Sequence, residues 1–394
     1  MIMNNLYFDW AAASPFDDDI LNEALELSKK AYANPSSVHS AGIYAKEILQ
    51  EYRERTAECL GVPGSTIYYT SGGTESNHLV LMSLLLRPAK GSIVISSIEH
   101  PAVKEQALML THCGWDVITV PSDSNGIITP DAVISKIRAD TALVCVMAVN
   151  NETGAIEPVN EIAQAINSVY PGKKKPKFHV DAVQAAGKIN FALNNPLIDS
   201  AAISAHKIGG PRGIGILHMK TRQEPFLRGG GQESGIRSGT ENLFGAIALC
   251  LALEKNTVPS EFDKRLTAQK NMTSSFIREL RNIPTCAIIP SSRQTHTYCD
   301  EYGYDNRFSP WIIQAAFEGI PSEVLVRSLS EKGLYISAGS ACSSRKLSRP
   351  VLEAMNVPRE HIAGAVRFSF GYTTKEADIS ILLENIKDTI TIFS

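Results

Sequence analysis

One lysine in this sequence stands in a setting that favours covalent chemistry. Lys207 closes the cluster Ser204-Ala205-His206-Lys207, which follows the apolar run 201–203 and precedes the turn Ile208-Gly209-Gly210-Pro211. An ammonium there has no obvious helix or partner to serve. A lysine desolvated in such a place has a lowered pKa and can form a Schiff base with a carbonyl compound. Taken alone, however, a lysine is more often a solvated surface residue.

A glycine-containing segment after another apolar run has the features of an anion site. The run 67–70 continues into Ser71-Gly72-Gly73-Thr74-Glu75-Ser76-Asn77 and then into an apolar helical pattern. The glycines let backbone N–H groups converge on an anion at the helix N-terminus, and Thr74 adds a hydroxyl donor. An ordinary capping box explains the same residues equally well. Neither G-x-x-x-x-G-K nor G-x-G-x-x-G occurs in the chain, which removes the best support for an ATPase or a dehydrogenase.

Further polar clusters stand at the ends of predicted strands, the edge where open α/β sheets bind ligands. These clusters are Glu99-His100, Asn150-Asn151-Glu152-Thr153-Gly154 and His179-Val180-Asp181-Ala182-Val183-Gln184. Each has a commoner structural explanation by itself, since a buried histidine is usually a satisfied core residue and an aspartate after a strand usually caps a turn. Together they surround one anion-binding segment with a histidine, an acid, amides and a lysine, which is much harder to obtain by chance.

This combination predicts a pyridoxal phosphate site. The phosphate is expected on Gly73, Thr74 and the turn that contains Ser204 and His206. Lys207 is expected to carry the aldehyde.

The remaining clusters then match the ring of the cofactor. Asp181 is expected to keep the pyridine nitrogen protonated, so that the ring can accept the electrons released when a Cα–H bond breaks. His100 is expected to stack on the ring face. Gln184 and Asn151 are expected to donate hydrogen bonds to the phenolic oxygen.

Two residues nearer the C-terminus could act on a substrate. Cys342 lies in Ser337-Ala338-Gly339-Ser340-Ala341-Cys342-Ser343-Ser344, where small residues favour the exposure and mobility that a nucleophilic thiol needs. A plain linker with an incidental cysteine is an equally good explanation. Arg367 stands inside the apolar run 365–371, and burying an unpaired guanidinium costs several kcal/mol. It should therefore have an anionic partner, either a structural carboxylate or a substrate one.

The elements that must position these residues follow from the hydrophobic pattern. Short β-branched runs alternate with amphipathic stretches and predict an α/β fold with a mainly parallel sheet between helices. The expected strands are 67–69, 93–95, 117–120, 143–149, 178–180, 201–203 and 214–217, and the expected helices between them are 101–112, 130–138 and 159–169. Helical patterns at 240–255, 261–281 and 375–392 predict a second, smaller α+β domain. Residues 291–308 are predicted to form a long surface loop.

Composition excludes several classes of function. The 394 residues carry a formal net charge of −3 without a basic block, which argues against a nucleic-acid binder. No apolar run approaches the roughly 18 residues of a membrane span, and the first residues lack a secretory pattern, so a cytoplasmic protein is expected. Seven cysteines without a C-x-x-C pair predict neither a disulfide framework nor a metal site.

The sequence resembles the class V aminotransferase family and, within it, the NifS/IscS-type cysteine desulfurases. The matches extend over almost the whole chain. Besides the clusters above, they are Tyr7-Phe8-Asp9-Trp10-Ala11-Ala12-Ala13-Ser14-Pro15, Asn34-Pro35-Ser36-Ser37-Val38-His39, Gly229-Gly230-Gly231-Gln232-Glu233, Arg237-Ser238-Gly239-Thr240, Ser340-Ala341-Cys342 and Val366-Arg367-Phe368-Ser369. Ser309-Pro310-Trp311 departs from the family, which usually has an asparagine there.

The resemblance implies fold type I of the pyridoxal phosphate enzymes, built from a seven-stranded sheet and assembled as a homodimer with shared active sites. It places the large cofactor domain at residues 13–258 and the small domain at residues 1–12 and 259–394. Thr240 matches the residue that reaches the phosphate of the neighbouring subunit. Arg367 matches the clamp on the substrate α-carboxylate, and Asn151 also contacts the substrate.

The implied reaction converts L-cysteine to L-alanine. Lys207 removes the Cα proton, Cys342 takes the sulfur as a persulfide, and His100 serves as a proton carrier. A sulfur-acceptor protein, as in iron–sulfur cluster biogenesis, is the implied further partner. Selenocysteine lyase and other class V reactions such as transamination are the alternatives, which need Lys207 and Asp181 but not necessarily Cys342. A catalytically silent scaffold or sulfur-carrier binding protein is a further alternative, against which the retained Lys207 argues.

Overall fold

The computed structural model describes residues 6–170, 175–191, 193–293, 299–300, 303–339 and 348–393. Its strands are β1 (Leu6–Tyr7), β2 (Ile67–Thr70), β3 (Ser92–Ser96), β4 (Asp116–Val120), β5 (Thr141–Cys145), β6 (Lys177–Asp181), β7 (Ser200–Ser204), β8 (Gly215–Met219), β9 (Cys286–Ile289), β10 (Ile312–Phe317), β11 (Leu334–Tyr335) and β12 (Ala365–Ser369). Its helices are α1 (Asp18–Lys30), α2 (Ser40–Leu60), α3 (Gly73–Ser83), α4 (Pro101–Thr111), α5 (Pro130–Ile134), α6 (Val159–Val169), α7 (Leu243–Thr257), α8 (Pro259–Arg281), α9 (Ser322–Glu331), α10 (Pro350–Ala354), α11 (Arg359–Ala363) and α12 (Glu376–Phe393).

The central sheet confirms the predicted α/β class. Within the described residues it contains seven strands in the order β2-β8-β7-β6-β5-β3-β4. The pairs from β7 through β6, β5 and β3 to β4 are parallel, whereas β8 runs antiparallel to both β7 and β2. The sheet is therefore mixed and mainly parallel, and the carboxyl ends of all its strands except β8 share one edge.

Alternate residues along each strand pack against different helices, which explains the apolar runs in the sequence. Ile67 and Tyr69 belong to a core that includes residues of α2, α6 and α7. Tyr68, between them, belongs to a core with α3 and α4. A strand covered on both faces has no side left for solvent, so its sequence lacks the alternation of polar and apolar residues.

A second core surrounds two smaller sheets. One sheet is antiparallel with the order β12-β10-β9, and the other pairs β1 with β11 in parallel. Phe8 from the N-terminal segment packs in this core with Phe276 of α8 and Phe368 of β12. Both chain ends therefore contribute to the second core. The division into domains at residues 13 and 258 remains a prediction.

Two local expectations are wrong. The strand predicted for 143–149 ends at Cys145, and the chain then enters a turn in which Asn150 Oδ1 accepts hydrogen bonds from the N–H groups of Glu152 and Thr153, both at 2.9 Å. The described part of segment 291–308 is not a surface loop, because Arg293 is fully buried. Its Nη1 donates to the carbonyls of Thr153 and Ile312, which inserts the segment beneath that turn.

The described residues contain no candidate for a membrane span or for a metal site. Over the ranges that the structure describes, no helix is both long and apolar enough to cross a membrane. The same residues contain no group of three or more His, Cys, Asp or Glu side chains placed to hold a metal ion.

Candidate active site

A cavity of about 230 Å³ lies at the sheet edge where β2, β6 and β7 end. It is lined by all the predicted site residues except Thr240 and Cys342. The lining residues are Ala11, Ala12, Gly73, Thr74, Asn77, His100, Ala102, Met147, Asn151, Asp181, Val183, Gln184, Ser204, His206, Lys207 and Arg367. Thr240 is exposed and lies outside this cavity, and Cys342 lies outside the described residues.

The N-terminus of α3 forms one wall of the cavity. Gly73 begins the helix and faces Val183 so closely that a Cβ on Gly73 would lie 2.6 Å from Val183 Cγ2. The first N–H groups of a helix have no partner within the helix, and the helix dipole gives this end a partial positive charge. Thr74, Ser204 and His206 add polar groups nearby, and Ser204 Oγ lies 2.8 Å from His206 Nδ1. This wall is a suitable site for a phosphate group.

The acid of the site is held by a buried chain of hydrogen bonds. Asp181 ends β6 and is 5 % exposed. Its Oδ2 accepts a hydrogen bond from Asn77 Nδ2 at 2.8 Å, and its Oδ1 accepts one from the N–H of Val183 at 3.1 Å. Asn77 Oδ1 lies 2.8 Å from His179 Nε2, and His179 Nδ1 lies 2.8 Å from Ser200 Oγ.

The protonation state of His179 follows from its burial. Burial lowers the pKa of His179 to about 4, so the ring is neutral at physiological pH. The Oδ1 of Asn77 can only accept, so the proton of the neutral ring belongs on Nε2 and Nδ1 accepts from Ser200. The hydrogen bonds from Ser200 through His179 therefore orient Asn77 with its amino group towards Asp181, where it stabilises a carboxylate.

Lys207 lies between the cavity and the N-terminal segment. Its Nζ donates hydrogen bonds to the carbonyl oxygens of Ala11 at 2.6 Å and Ala12 at 2.7 Å. Gln184 Nε2 donates to the same Ala11 carbonyl at 2.9 Å. The predicted lysine and the predicted amide therefore meet at one backbone acceptor, which sequence analysis did not include in the site.

His100 caps the N-terminus of α4. Its Nδ1 accepts a hydrogen bond from the N–H of Ala102 at 3.1 Å, which leaves Nε2 as the nitrogen that carries the proton of the neutral ring. Burial lowers the pKa of His100, Asp181 opposes this effect, and Lys207 adds to it. Burial and the charge of Lys207 also lower the pKa of His206, to about 4. Both histidines are therefore neutral near pH 7.

Arg367 has the anionic partner that its burial requires. Its Nη2 pairs with Asp9 Oδ1 at 2.7 Å, and its Nη1 donates to the carbonyl of Asn151 at 2.8 Å. The structure thus supplies the structural carboxylate, one of the two alternatives that the sequence left open. The Nε of Arg367 is buried without a hydrogen-bond partner among the described residues. This donor, in a residue that lines the cavity, is available for a bound anion.

Sequence reasoning missed Asn77 and the two carbonyls of Ala11 and Ala12. Asn77 lies four residues after Gly73, and residues four apart share a helix face. That spacing was a usable signal, because it places the asparagine on the face of α3 that starts at the anion site. The carbonyls of Ala11 and Ala12 left no comparable signal, because every residue has a carbonyl.

The groups present fit pyridoxal phosphate. A helix N-terminus with hydroxyl and imidazole neighbours suits its phosphate, a buried carboxylate suits its ring nitrogen, and an amine suits its aldehyde. Arg367, whose Nε has no hydrogen-bond partner among the described residues, adds a guanidinium to the cavity lining.

Comparisons with known proteins agree with this assignment. The family model described as aminotransferase class-V matches residues 6–382. Cysteine desulfurase IscS of Dictyoglomus turgidum is 34 % identical over 98 % of this chain and 94 % of its own length. Cysteine desulfurase NifS of Azotobacter vinelandii is 33 % identical over 98 % of this chain and 92 % of its own length. A solved NifS-like protein is 32 % identical, with a TM-score of 0.87 over 98 % of this chain and all of that one.

A match over nearly the whole length leaves no large part of the fold unaccounted for. The lysine and the buried acid that line the cavity agree with the same family. The chain belongs to the class V aminotransferase family, a family of pyridoxal phosphate-dependent enzymes.

Proposed function

We propose that this protein is a pyridoxal phosphate-dependent cysteine desulfurase that converts L-cysteine to L-alanine and takes the sulfur on Cys342 as a persulfide. The observation that carries the proposal is the meeting of Lys207, Asp181 and Arg367 in one cavity. An amine, an acid and a carboxylate-binding cation are the groups that an amino acid and this cofactor require. Full-length relatives named cysteine desulfurase support the choice of substrate.

The bound cofactor supplies an electron-accepting ring that stabilises negative charge on the Cα atom of an attached amino acid. Asp181 serves that ring as a counter-ion. Its carboxylate is held by the N–H groups of Asn77 and Val183, so it cannot turn away from the cavity without breaking both hydrogen bonds. Preorganised charge of this kind stabilises the reacting state without further rearrangement.

Lys207 and His100 move protons. Lys207 holds the cofactor and, as a free amine, takes the Cα proton of the substrate at Nζ. The carbonyls of Ala11 and Ala12 fix the position of that nitrogen. His100 is neutral with its proton on Nε2, so it offers a hydrogen bond to negative charge that develops on a leaving group or on carbon. To deliver a proton it must first take one up and become imidazolium.

Arg367 binds the α-carboxylate of the substrate. Its Nη1 and Nη2 each make one contact within the protein and its Nε makes none among the described residues, so the guanidinium keeps donors for the carboxylate. Asn151, whose carbonyl accepts from Nη1, keeps the guanidinium plane in place beside the cavity. Holding the amino acid at its carboxylate and its amine fixes the Cα–H bond relative to Lys207.

Cys342 receives the sulfur. Its thiolate attacks the substrate sulfur, a new S–S bond forms, and the C–S bond breaks with its electron pair going to the substrate carbon. That carbon takes up a proton, so one cysteine and one enzyme thiol yield alanine and one enzyme persulfide. A sulfur-acceptor protein then takes the sulfur from Cys342.

The active sites are shared across a homodimer in this proposal. Thr240 is exposed and outside its own cavity, as expected of a residue that completes the phosphate site of a second subunit. The side chains of Tyr32, Val38, Phe226 and Leu227 are between 52 % and 93 % exposed. An interface between subunits would bury such side chains if they lie within it.

The experiment uses the purified protein loaded with pyridoxal phosphate. L-cysteine and a reductant are added, and alanine and sulfide are measured. Wild type should form both products in equal amounts, and Cys342→Ser should lose sulfide release while Cys113→Ser, a matched thiol deletion, retains it. Lys207→Ala should lose the near-visible absorbance of the bound cofactor. Sulfide release by Cys342→Ser at the wild-type rate would favour the lyase alternative, which selenocysteine as a substrate would then test.

A further inference from the structure

A buried lysine next to the active site has no role in the proposed reaction. Lys188 is 8 % exposed, and no described carboxylate lies within ion-pair distance of its Nζ. The charged groups that face it are Lys207 and Arg367, and both lower the pKa of Lys188 in addition to its burial. A buried amine beside two cations destabilises the fold compared with an apolar side chain of similar length. Its presence therefore calls for a functional explanation.

The hydrogen bond of Lys188 identifies the group that it serves. Its Nζ donates to Gln184 Oε1 at 2.8 Å. Gln184 Nε2 donates to the carbonyl of Ala11 at 2.9 Å, and the same oxygen accepts from Lys207 Nζ at 2.6 Å. A continuous chain of hydrogen bonds thus connects Lys188 to Lys207 through one side-chain amide.

This chain determines which end of the amide faces which neighbour. The two ends of a glutamine amide have almost the same shape, so packing alone does not distinguish them. Reversing the amide of Gln184 would place its N–H group against the donor Lys188 and its oxygen against the acceptor Ala11. Both contacts would then be repulsive. A charged Lys188 can only donate and so opposes the reversed amide. A neutral amine could also accept from it, and the repulsion between the amide oxygen and the Ala11 carbonyl then excludes the reversed orientation, while Lys188 still donates to Oε1.

The backbone of Lys188 is fixed as well. Its carbonyl accepts a hydrogen bond from Trp311 Nε1 at 2.6 Å. Lys188, Trp311 and Lys207 also line a cavity of about 30 Å³ behind the active site. Trp311 therefore supports the backbone of Lys188.

We propose that Lys188 is a positioning residue, which holds the Gln184 amide with its N–H group towards Lys207 and the phenolic oxygen of the cofactor. The inference rests on the proposed assignment of Gln184 to the cofactor site. One N–H of Gln184 is used by Ala11, and the second remains for the phenolic oxygen. A donor to that oxygen weakens its attraction for the proton on the lysine nitrogen, and so lowers the pH at which the cofactor loses this proton.

The test measures this pH directly. Near-visible absorbance of the bound cofactor is titrated in wild type, in Lys188→Met and in Lys177→Met, a control that removes a lysine paired with Asp199 at the opposite end of β6. We expect the midpoint to rise by about half a pH unit or more in Lys188→Met, roughly a threefold change in proton affinity, and to stay unchanged in the control. Thermal unfolding of Lys188→Met should occur near the wild-type temperature, because removal of a buried amine stabilises the fold while the loss of the partner of Gln184 Oε1 destabilises it.

A double-mutant cycle tests whether Lys188 acts through Gln184. The midpoint of Gln184→Leu should rise, and adding Lys188→Met to it should cause no further rise. A midpoint equal to wild type in Lys188→Met, or shifts that add in the double variant, would overturn the proposal.

A variant that fails to fold and a protein that binds no cofactor lead to different conclusions about Lys188. Lys188→Leu provides a second apolar side chain of similar volume if the methionine variant does not fold. Loss of folding in both variants would overturn the proposal by making Lys188 a structural residue. A wild-type protein that acquires no cofactor absorbance would refute the proposed function and the inference with it. Failure of the inference alone leaves wild-type absorbance and turnover intact.

Discussion

Asn77 gives the sharpest test of the proposed site, because sequence analysis did not identify it and the structure gives it two specific contacts. Its amide links Asp181 to His179, with 2.8 Å on each side. Replacing it by alanine leaves Asp181 Oδ2 and the fully buried His179 Nε2 without this partner. We therefore expect effects on both stability and function.

The magnitudes follow from the burial of the separated groups. A buried polar atom left without a partner costs about 1–3 kcal/mol, so two of them should lower the free energy of unfolding by about 2–6 kcal/mol. The hydrogen bond to the Asp181 carboxylate is charge-assisted and is worth about 1.5–3 kcal/mol. If Asp181 acts on the cofactor ring, a misplaced carboxylate should reduce kcat/KM or cofactor affinity by roughly 10-fold to 100-fold.

The assay separates stability from function. Denaturant unfolding gives the free energy, equilibrium dialysis gives the cofactor Kd, and alanine formation gives kcat/KM. Gln269→Ala is the matched control, because Gln269 is also buried and its Nε2 donates two hydrogen bonds, to Thr273 Oγ1 and to the Pro310 carbonyl. It should lose stability without a change in cofactor affinity. If Asn77→Ala loses stability as expected but keeps wild-type cofactor affinity and turnover, the hydrogen bonds from His179 through Asn77 to Asp181 have no role in cofactor binding or catalysis.

Three further results are expected. In Gly73→Ala the new methyl group would lie 2.6 Å from Val183 Cγ2 and must displace that side chain, so cofactor affinity should fall about tenfold. Adding Val183→Ala to the same protein should restore much of the affinity. A double variant without this recovery would contradict the steric explanation. His179 has a folded-state pKa of about 4, below its unfolded value of about 6.5, so its contribution of roughly 3 kcal/mol is present above pH 6.5 and lost as the pH falls towards 4. Between pH 6.5 and pH 4 the free energy of unfolding should fall less in His179→Gln than in the wild type. An equal fall in both proteins would exclude His179 as the cause of the pH dependence. Arg367→Lys keeps a charge but loses the planar fork, so kcat/KM for L-cysteine should fall roughly 10-fold to 100-fold with the cofactor absorbance unchanged, and wild-type turnover would exclude Arg367 as the carboxylate clamp.

The hydrophobic pattern predicted the central sheet well. Each run, such as 93–95 or 201–203, corresponds to one strand, because strands buried on both faces carry continuous apolar residues. The run 143–149 is the exception, since it reads as one strand while the chain leaves the sheet after Cys145. Residues 146–149 are apolar because they are buried, and burial by itself does not distinguish a strand from the turn that follows it.

The rule that ligands bind at the carboxyl ends of strands in an open α/β sheet predicted which residues form the site, but not the contacts between them. Asp181, Lys207 and His100 were identified because polar residues directly after buried strands collect at one edge. Asn77 and Lys188 were given no role because each lies seven residues beyond the end of its strand rather than directly after it. Lys188 resembles a solvated lysine in the sequence, and only its packing beneath Gln184 shows that it is buried.

The sequence by itself determined the fold class, the family and the set of residues that meet at the sheet edge, because these depend on local periodicity and on chemical types in a fixed order. Only the tertiary structure determined which groups form hydrogen bonds and ion pairs with one another. Arg367 pairs with Asp9, which is 358 residues distant along the chain, and the orientation of Gln184 depends on Lys188 below it and Ala11 beside it. Such contacts arise when the chain closes on itself, and the identity of a hydrogen-bond partner is then set by distance in space rather than by separation in sequence.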